Sequence, residues 1–269
     1  MSLTSNPNPQ PESRSYRIPV DGVGEVDLST TECGAGGVFL FLHGGGGPQS
    51  FVPFATSFAA AHPVRTITPT HPGFAGTTRP RALATIADLA RLYVGLLDEL
   101  DLSGVTLVGN SIGGWIAAEM ATLHTPRIQR LVLLDAVGIE VPGHPVADFF
   151  SLTVDEMSQL TFHDPDKFKI DPAKLPPAAR EALPGNRASL ATYTNTTDQT
   201  LAARLATVTV KTLVLWGAAD RVADPEYGRN YAQLIPGARF QLLPNTGHLP
   251  QVETPAQVAS ALERFAINE

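Results

Sequence analysis

Val105-Thr106-Leu107-Val108-Gly109-Asn110-Ser111-Ile112-Gly113-Gly114-Trp115-Ile116 changes its hydrophobic period at a serine. The run from Val105 to Val108 reads as a buried strand, and from Ile112 onward Ile116, Met120 and Leu123 recur at helical spacing. Ser111 therefore stands where strand turns into helix, the arrangement of a nucleophile elbow. Gly109 and Gly113 let the backbone fold tightly there while the hydroxyl stands clear. The alternative is a serine capping an ordinary helix in a glycine-rich turn, and only the rest of the chain separates the two.

Working outward, the same alternation repeats. Upstream, Val38-Phe39-Leu40-Phe41-Leu42 is apolar without a break, so it predicts a strand covered on both faces, ending in His43-Gly44-Gly45-Gly46-Gly47-Pro48. Phe51, Phe54 and Phe58 then share a helical face before His62-Pro63. Arg65–Thr68 is a further strand, leading into the loop His71-Pro72-Gly73-Phe74-Ala75-Gly76, after which Thr85 opens a helix with Leu89, Leu92, Leu96 and Leu100 inward. Downstream, Leu131–Leu134 and Leu213–Trp216 carry the buried-strand signature again, followed by a helix from Asp224-Pro225, a short strand at Phe240–Leu243 and a final helix from Thr254-Pro255. Buried strands alternating with amphipathic helices predict an α/β fold, a mostly parallel central sheet with helices on both faces. At the start, Tyr16–Val20 and Val23–Leu28 flank Asp21-Gly22 and predict an antiparallel hairpin edge.

The rhythm fails between residues 137 and 209, where seven prolines fall between Val141 and Gly185 among short helical patterns, Thr153–Leu160 and Arg187–Leu205. The expected organisation is a core of residues 14–136 and 210–269, a helical lid inserted at 137–209, and a disordered tail at 1–13. A lid entering there lies beyond the carboxyl end of a strand, where sites in such sheets form.

A length of 269 residues with 43% hydrophobic and 17% charged composition supports one large core. The net charge of −7, with no basic block, argues against nucleic acid or an anionic membrane surface as partner. Cys33 is the sole cysteine, which excludes an internal disulfide and suggests neither a metal cluster nor a thiol mechanism. No run of about eighteen apolar residues occurs, so no membrane-spanning helix is expected and the cytoplasm is the default compartment. A homo-oligomer is compatible with this reading and not required by it.

A serine nucleophile needs a base, a carboxylate to orient the base, and donors for the oxyanion. Leu215-Trp216-Gly217-Ala218-Ala219-Asp220 places an aspartate beyond one buried strand, and Asn245-Thr246-Gly247-His248-Leu249-Pro250 a histidine beyond another. Asp224, which reads as a helix N-cap, and Asp135, which ends the strand before the lid, compete with Asp220 for the acid. On these residues, with Leu42-His43-Gly44-Gly45, His71-Pro72-Gly73-Phe74 and Gly109–Gly114, the chain resembles the α/β-hydrolase fold superfamily from about Val38 to Phe265, lid excluded. The order Ser111, Asp220, His248 is the one that superfamily uses. Thr70 departs from its pattern, which usually has aspartate before the Pro-Gly-Phe turn.

The resemblance implies a cofactor-independent, metal-free serine hydrolase that cleaves an ester or similar activated carbonyl of a small to medium organic molecule through an acyl-enzyme. The backbone N–H groups of Ile112 and Gly45 are the expected oxyanion hole. Gly-Asn-Ser-x-Gly-Gly and the glycine loop are also similar to hydrolases that cleave carbon–carbon bonds in ring-fission products. By that similarity Asn110 and Arg187 are expected to bind substrate, Arg187 through a carboxylate, a role that Arg180 or Arg204 could also fill. Those enzymes usually carry tryptophan after the catalytic histidine, where this chain has Leu249. A third reading is a ligand-binding protein of the same fold without turnover.

Overall fold

The apolar runs become the middle of an eight-stranded sheet ordered β1-β2-β4-β3-β5-β6-β7-β8 in the protein's computed structural model, which describes residues 9–169, 171–195 and 199–268. The strands are β1 (Glu12–Val20), β2 (Gly24–Gly34), β3 (Gly37–Leu42), β4 (Val64–Pro69), β5 (Val105–Asn110), β6 (Ile128–Leu134), β7 (Lys211–Gly217) and β8 (Arg239–Leu243). Only β2 runs against the others. Central strands alternate their side chains between two buried faces, and this is why their middles are mostly apolar, the polar exceptions such as Thr66, Thr106 and Thr212 being buried with them. Leu107, Leu131, Leu133 and Val214 pack to one side, against helices α2 (Ile86–Glu99), α3 (Ile112–Thr122) and α8 (Pro225–Leu234). Val108, Val132, Leu134 and Leu215 pack to the other, against α1 (Val52–Ala61) and the C-terminal α10 (Pro255–Leu262). On that second face Phe41 meets Phe51, Phe54 and Phe58 at ring-centroid distances of 5.0, 5.8 and 6.4 Å.

Local signals set the ends of several helices. Thr85 caps α2 by a reciprocal pair of bonds, accepting from Asp88 N–H at 3.1 Å while the Asp88 carboxylate accepts from Thr85 N–H at 2.8 Å. Asp224 caps α8 by accepting from Tyr227 N–H at 3.0 Å, ahead of Pro225 at the first helical position. Leu123, expected on the inner face of α3, lies just past its end and is exposed.

The hairpin edge forms, with Gly22 at φ 77° in the turn. It is longer than the alternation suggests: β1 starts at Glu12, so Glu12 and Ser13, expected in a disordered tail, pair instead with Glu32 and Thr31. The first strand gains a backbone partner because β2 runs on to Gly34, which local composition does not reveal. Residues 1–8 of that expected tail lie outside the described residues.

Between β6 and β7 the described residues form helices α4 (Val154–Thr161), α5 (Pro165–Phe168), α6 (Pro177–Tyr193) and α7 (Leu201–Leu205), with no strand. The pattern expected to start at Arg187 is thus two helices, and α6 begins ten residues before Arg187, at Pro177. Pro184 lies inside it. A proline there removes one backbone hydrogen bond and reads as a breaker in sequence, but tertiary anchoring of the last two turns holds the helix.

Candidate active site

Strands β3, β5, β6 and β7 run parallel side by side, so their carboxyl ends deliver the glycine loop, Ser111, Asp135 and Asp220 to one edge of the sheet. At the end of β5 the chain reverses into α3 through Ser111, which has φ 56° and ψ −121°. That is a strained conformation for a residue with a Cβ, of the kind that clusters at active sites. The reversal brings α3 so close to β3 that a Cβ on Gly113 would lie 2.1 Å from the Leu42 carbonyl oxygen. Ser111 N–H donates to the Leu134 carbonyl at 3.1 Å, tying the elbow to β6.

His248 follows β8 on a loop. Its Nδ1 lies 2.8 Å from Asp220 Oδ2, and both residues are buried. Asp220 Oδ1 accepts from the N–H groups of Val222 at 2.8 Å and Ala223 at 3.2 Å, so the carboxylate is fixed by its own loop. Asp224 is occupied elsewhere, with α8 and with His144 Nδ1 at 2.7 Å. Nε2 of His248 is buried and makes no hydrogen bond within the described residues. The 2.8 Å Nδ1···Oδ2 separation suits a shared proton; two ligands of one tetrahedral zinc ion stand about 3.3 Å apart.

The insertion holds the histidine loop from outside. His248 N–H donates to the Thr161 carbonyl at 2.6 Å, and a Cβ on Gly247 would lie 2.2 Å from that same oxygen. Glu253, at the end of α9 (Pro250–Glu253), accepts from Gly247 N–H at 2.6 Å, His163 N–H at 3.1 Å and Asp164 N–H at 2.8 Å. On the opposite side, α6 lies over the loop after β4. Asn186 Oδ1 accepts from Ala75 N–H at 2.8 Å, Ser189 Oγ donates to the Gly73 carbonyl at 3.0 Å, and Tyr193 OH donates to the Pro72 carbonyl at 2.9 Å. Leu190, next on that face, covers Gly45, its Cδ2 being 3.0 Å from where a Cβ would stand. Ser111 keeps only 7% of its surface exposed.

Two expected substrate contacts are not where the sequence reading puts them. Asn110 is fully buried behind the elbow; its Nδ2 donates to the carbonyls of Leu134 at 3.1 Å and His248 at 3.0 Å, and its Oδ1 accepts from Gln251 Nε2 at 3.1 Å. The last residue of a covered strand points into the protein, so Asn110 braces the histidine loop. Arg187 is exposed on the outer side of α6, its Nη2 donating to the Phe150 carbonyl at 2.6 Å and its guanidinium over the Phe150 ring. Asn186, Ser189 and Tyr193 take the inner face, and one step along a helix turns Arg187 about 100° away from it. Of the two residues expected to supply oxyanion donors, Ile112 starts α3 and is buried, and Gly45 lies under Leu190, next to Gly44, whose Cβ would stand 3.1 Å from Ser111 Cβ.

One part of the site escapes sequence reading. The His71 and His43 rings lie against each other at 3.7 Å between centroids, tilted by 33°, and both are fully buried. His71 N–H donates to His43 Nε2 at 3.0 Å, His71 Nε2 bonds the His43 carbonyl at 2.8 Å, and His43 Nδ1 bonds the Gly44 carbonyl at 2.7 Å. His71 Nδ1 is left to accept from Tyr93 OH at 2.5 Å. The two rings therefore clamp successive carbonyls of the glycine loop, which sets the direction of the N–H groups that follow. The one sequence signal was two histidines, each opening a loop after a buried strand.

Burial, more than the adjacent ring, holds His43 well below the ordinary histidine range, and burial lowers His71 to about 4. An unfolded histidine takes up its proton near pH ~6.5. The stability that the neutral His71 ring contributes is therefore complete above about pH 6.5 and is lost as pH falls from there towards about 4, and His43 acts in the same direction. The thermal midpoint should drop steeply between about pH 6 and 4.5, and His71→Gln should flatten that drop. Equal slopes for the two proteins in scanning calorimetry would contradict this account.

The chain belongs to the alpha/beta hydrolase family, whose model matches residues 39–261. It is 30% identical to a 2-hydroxymuconate semialdehyde hydrolase of Pseudomonas putida, over 86% of this chain and 88% of that one. It is 25% identical to Lipase 1 of Psychrobacter immobilis, over 86% and 77%. Among solved structures it is similar to a thermophilic esterase from Thermogutta terrifontis, with TM-score 0.76, 22% identity and coverage of 94% and 97%. A serine hydrolase involved in carbazole degradation gives TM-score 0.75 at 23% identity, covering 96% and 100%. No helix among the described residues is long and apolar enough to cross a membrane.

Proposed function

We propose that this hydrolase cleaves a neutral ester, or a similarly activated carbonyl, of a small organic molecule by way of an acyl-enzyme on Ser111. The observation that carries the reading is the buried His248–Asp220 pair at the sheet edge that also presents Ser111 on its strained turn. Asp220 holds His248 in the tautomer with the proton on Nδ1, leaving Nε2 as the base. Ser111 Oγ attacks the carbonyl carbon while its proton passes to Nε2. The developing oxyanion is met by the N–H groups of Ile112 and Gly45, and the leaving alkoxide takes the proton from Nε2. Water then repeats the sequence on the acyl group.

Preference for a neutral substrate rests on what surrounds these groups. Leu190 covers the glycine loop, the Phe149 ring centroid lies 6.2 Å from that of His248, and Arg187 is turned outward onto Phe150. The second reading, cleavage of a carbon–carbon bond in a vinylogous diketone, is favoured by the likeness to the semialdehyde hydrolase. A panel of p-nitrophenyl butyrate, a lactone and a dienoate ring-fission product separates them. We expect kcat/KM for the neutral ester to exceed that for the dienoate by at least about tenfold, or about 1.4 kcal/mol in the barrier. The reverse order would transfer the assignment to carbon–carbon cleavage. On the same panel Arg187→Ala should change both substrates equally and by less than about twofold; a loss confined to the dienoate would return Arg187 to the site.

A further inference from the structure

Asp135 leaves β6 beside the strand that carries Asp220. The register pairs Leu134 with Leu215, and Asp135 turns at φ 45°, unusual for a residue other than glycine. Its N–H donates to the Leu215 carbonyl at 3.1 Å, and its Oδ1 accepts from Gly217 N–H at 2.7 Å. The other oxygen, Oδ2, is buried and has no donor. One oxygen of Asp135, one of Asp220 and one nitrogen of His248 all lie within 4.8 Å of one another, and the three side chains are buried.

Two adjacent buried carboxyls beside one neutral imidazole do not both ionise, because like charges at such a distance in a medium of low dielectric constant repel strongly. The hydrogen bonds decide which keeps the proton. Asp220 has three N–H donors, from Val222, Ala223 and His248, whereas Asp135 has one. An ionised Asp135 would leave a bare oxygen in the interior, whereas the acid form uses that oxygen to donate. We propose that Asp135 is a positioning residue, held as the neutral acid, whose O–H donates to the Asp220 carboxylate, and which becomes the carboxylate orienting His248 when Asp220 is removed.

The groups that face Asp135 are Asp220 and His248, with Glu253 farther off. Burial first, then the negative charge of Asp220, push its carboxyl well above the ordinary range, and Glu253 acts in the same direction. The inference rests on the catalytic reading of His248 and Asp220, so its test includes a variant that checks that reading alone.

Four variants are compared by kcat/KM for p-nitrophenyl butyrate against pH, with circular dichroism to confirm folding. Asp135→Asn keeps a neutral donor to Asp220, so kcat should fall only a few-fold and the acid limb of the profile should stay within about 0.3 pH units. A limb displaced to lower pH by about one unit or more would mean that a negative charge had been removed, and would overturn the assignment. Asp220→Ala should lose about 10²-fold in kcat, and Asp135→Asn/Asp220→Ala about 10⁴-fold, near the loss expected when no carboxylate orients the histidine. Equal losses in these two variants would remove the reserve role. His248→Ala should be nearly inactive; substantial activity there would overturn the catalytic reading itself, and the proposal with it.

Discussion

Ser111→Ala should lower kcat by about 10⁴-fold or more, and a fluorophosphonate probe should label the native protein once and leave the variant unlabelled. The size follows from the mechanism: without the hydroxyl no acyl-enzyme forms, and only the oxyanion donors and binding remain. Stability should move the other way in a second variant. Ser111 occupies φ 56°, a region in which a Cβ is strained and glycine is not. Ser111→Gly should therefore be as inactive as the alanine variant, yet more stable than the native chain by about 1 kcal/mol, observed as a thermal midpoint about 2–4 °C higher. Persistent labelling in Ser111→Ala would refute the nucleophile, and a less stable Ser111→Gly would refute the strain.

The second large effect is expected at Gly113. A methyl group there would stand 2.1 Å from the Leu42 carbonyl oxygen and 2.6 Å from that of His43, backbone atoms at and just beyond the end of β3 that have no rotamer by which to withdraw. Gly113→Ala must move α3 away from β3, which parts Ile112 N–H from Gly45 N–H across the oxyanion position. We expect a loss of about 3 kcal/mol or more in stability, in the range of overpacked cores, and a fall of about 10²–10³-fold in kcat for the protein that remains folded. Denaturant titration read with active-site labelling separates the two effects. Near-native stability together with near-native kcat would show that helix and strand have slack that the geometry denies.

Much of this fold is legible in the chain because its signals are local. Phe39–Leu42, Val105–Val108 and Leu213–Trp216 have no polar face, so each demands cover on both sides, and helices that alternate with them supply it. Ser111 between Gly109 and Gly113 is equally local: a change of period at a serine, with no room for side chains around it. Thr85 and Asp224 announce their helices because the caps act within three residues of themselves. These features survive in sequence because the cause and its effect lie within one or two turns of backbone.

Other features depend on contacts between residues far apart along the chain, and there tertiary structure decided. Asp135, Asp220 and Asp224 all stand after buried strands or at helix starts, and nothing local says which faces His248; packing β7 beside β6 sets that. Asn110 turns inward because the His248 loop and Gln251 close over the end of β5. Arg187 faces outward because the backbone of residues 72–75 anchors Asn186, Ser189 and Tyr193, and that anchoring also carries α6 through Pro184 against its local preference. The contact of the His43 ring with that of His71 needs β3 and β4 to lie side by side, so it exists only in the folded sheet. Sequence determined the order in which strands and helices follow one another and the loops on which Ser111, Asp220 and His248 stand; the side chains' directions, and hence which carboxyl faces His248 and which arginine meets solvent, follow from burial and long-range hydrogen bonds that form only on folding.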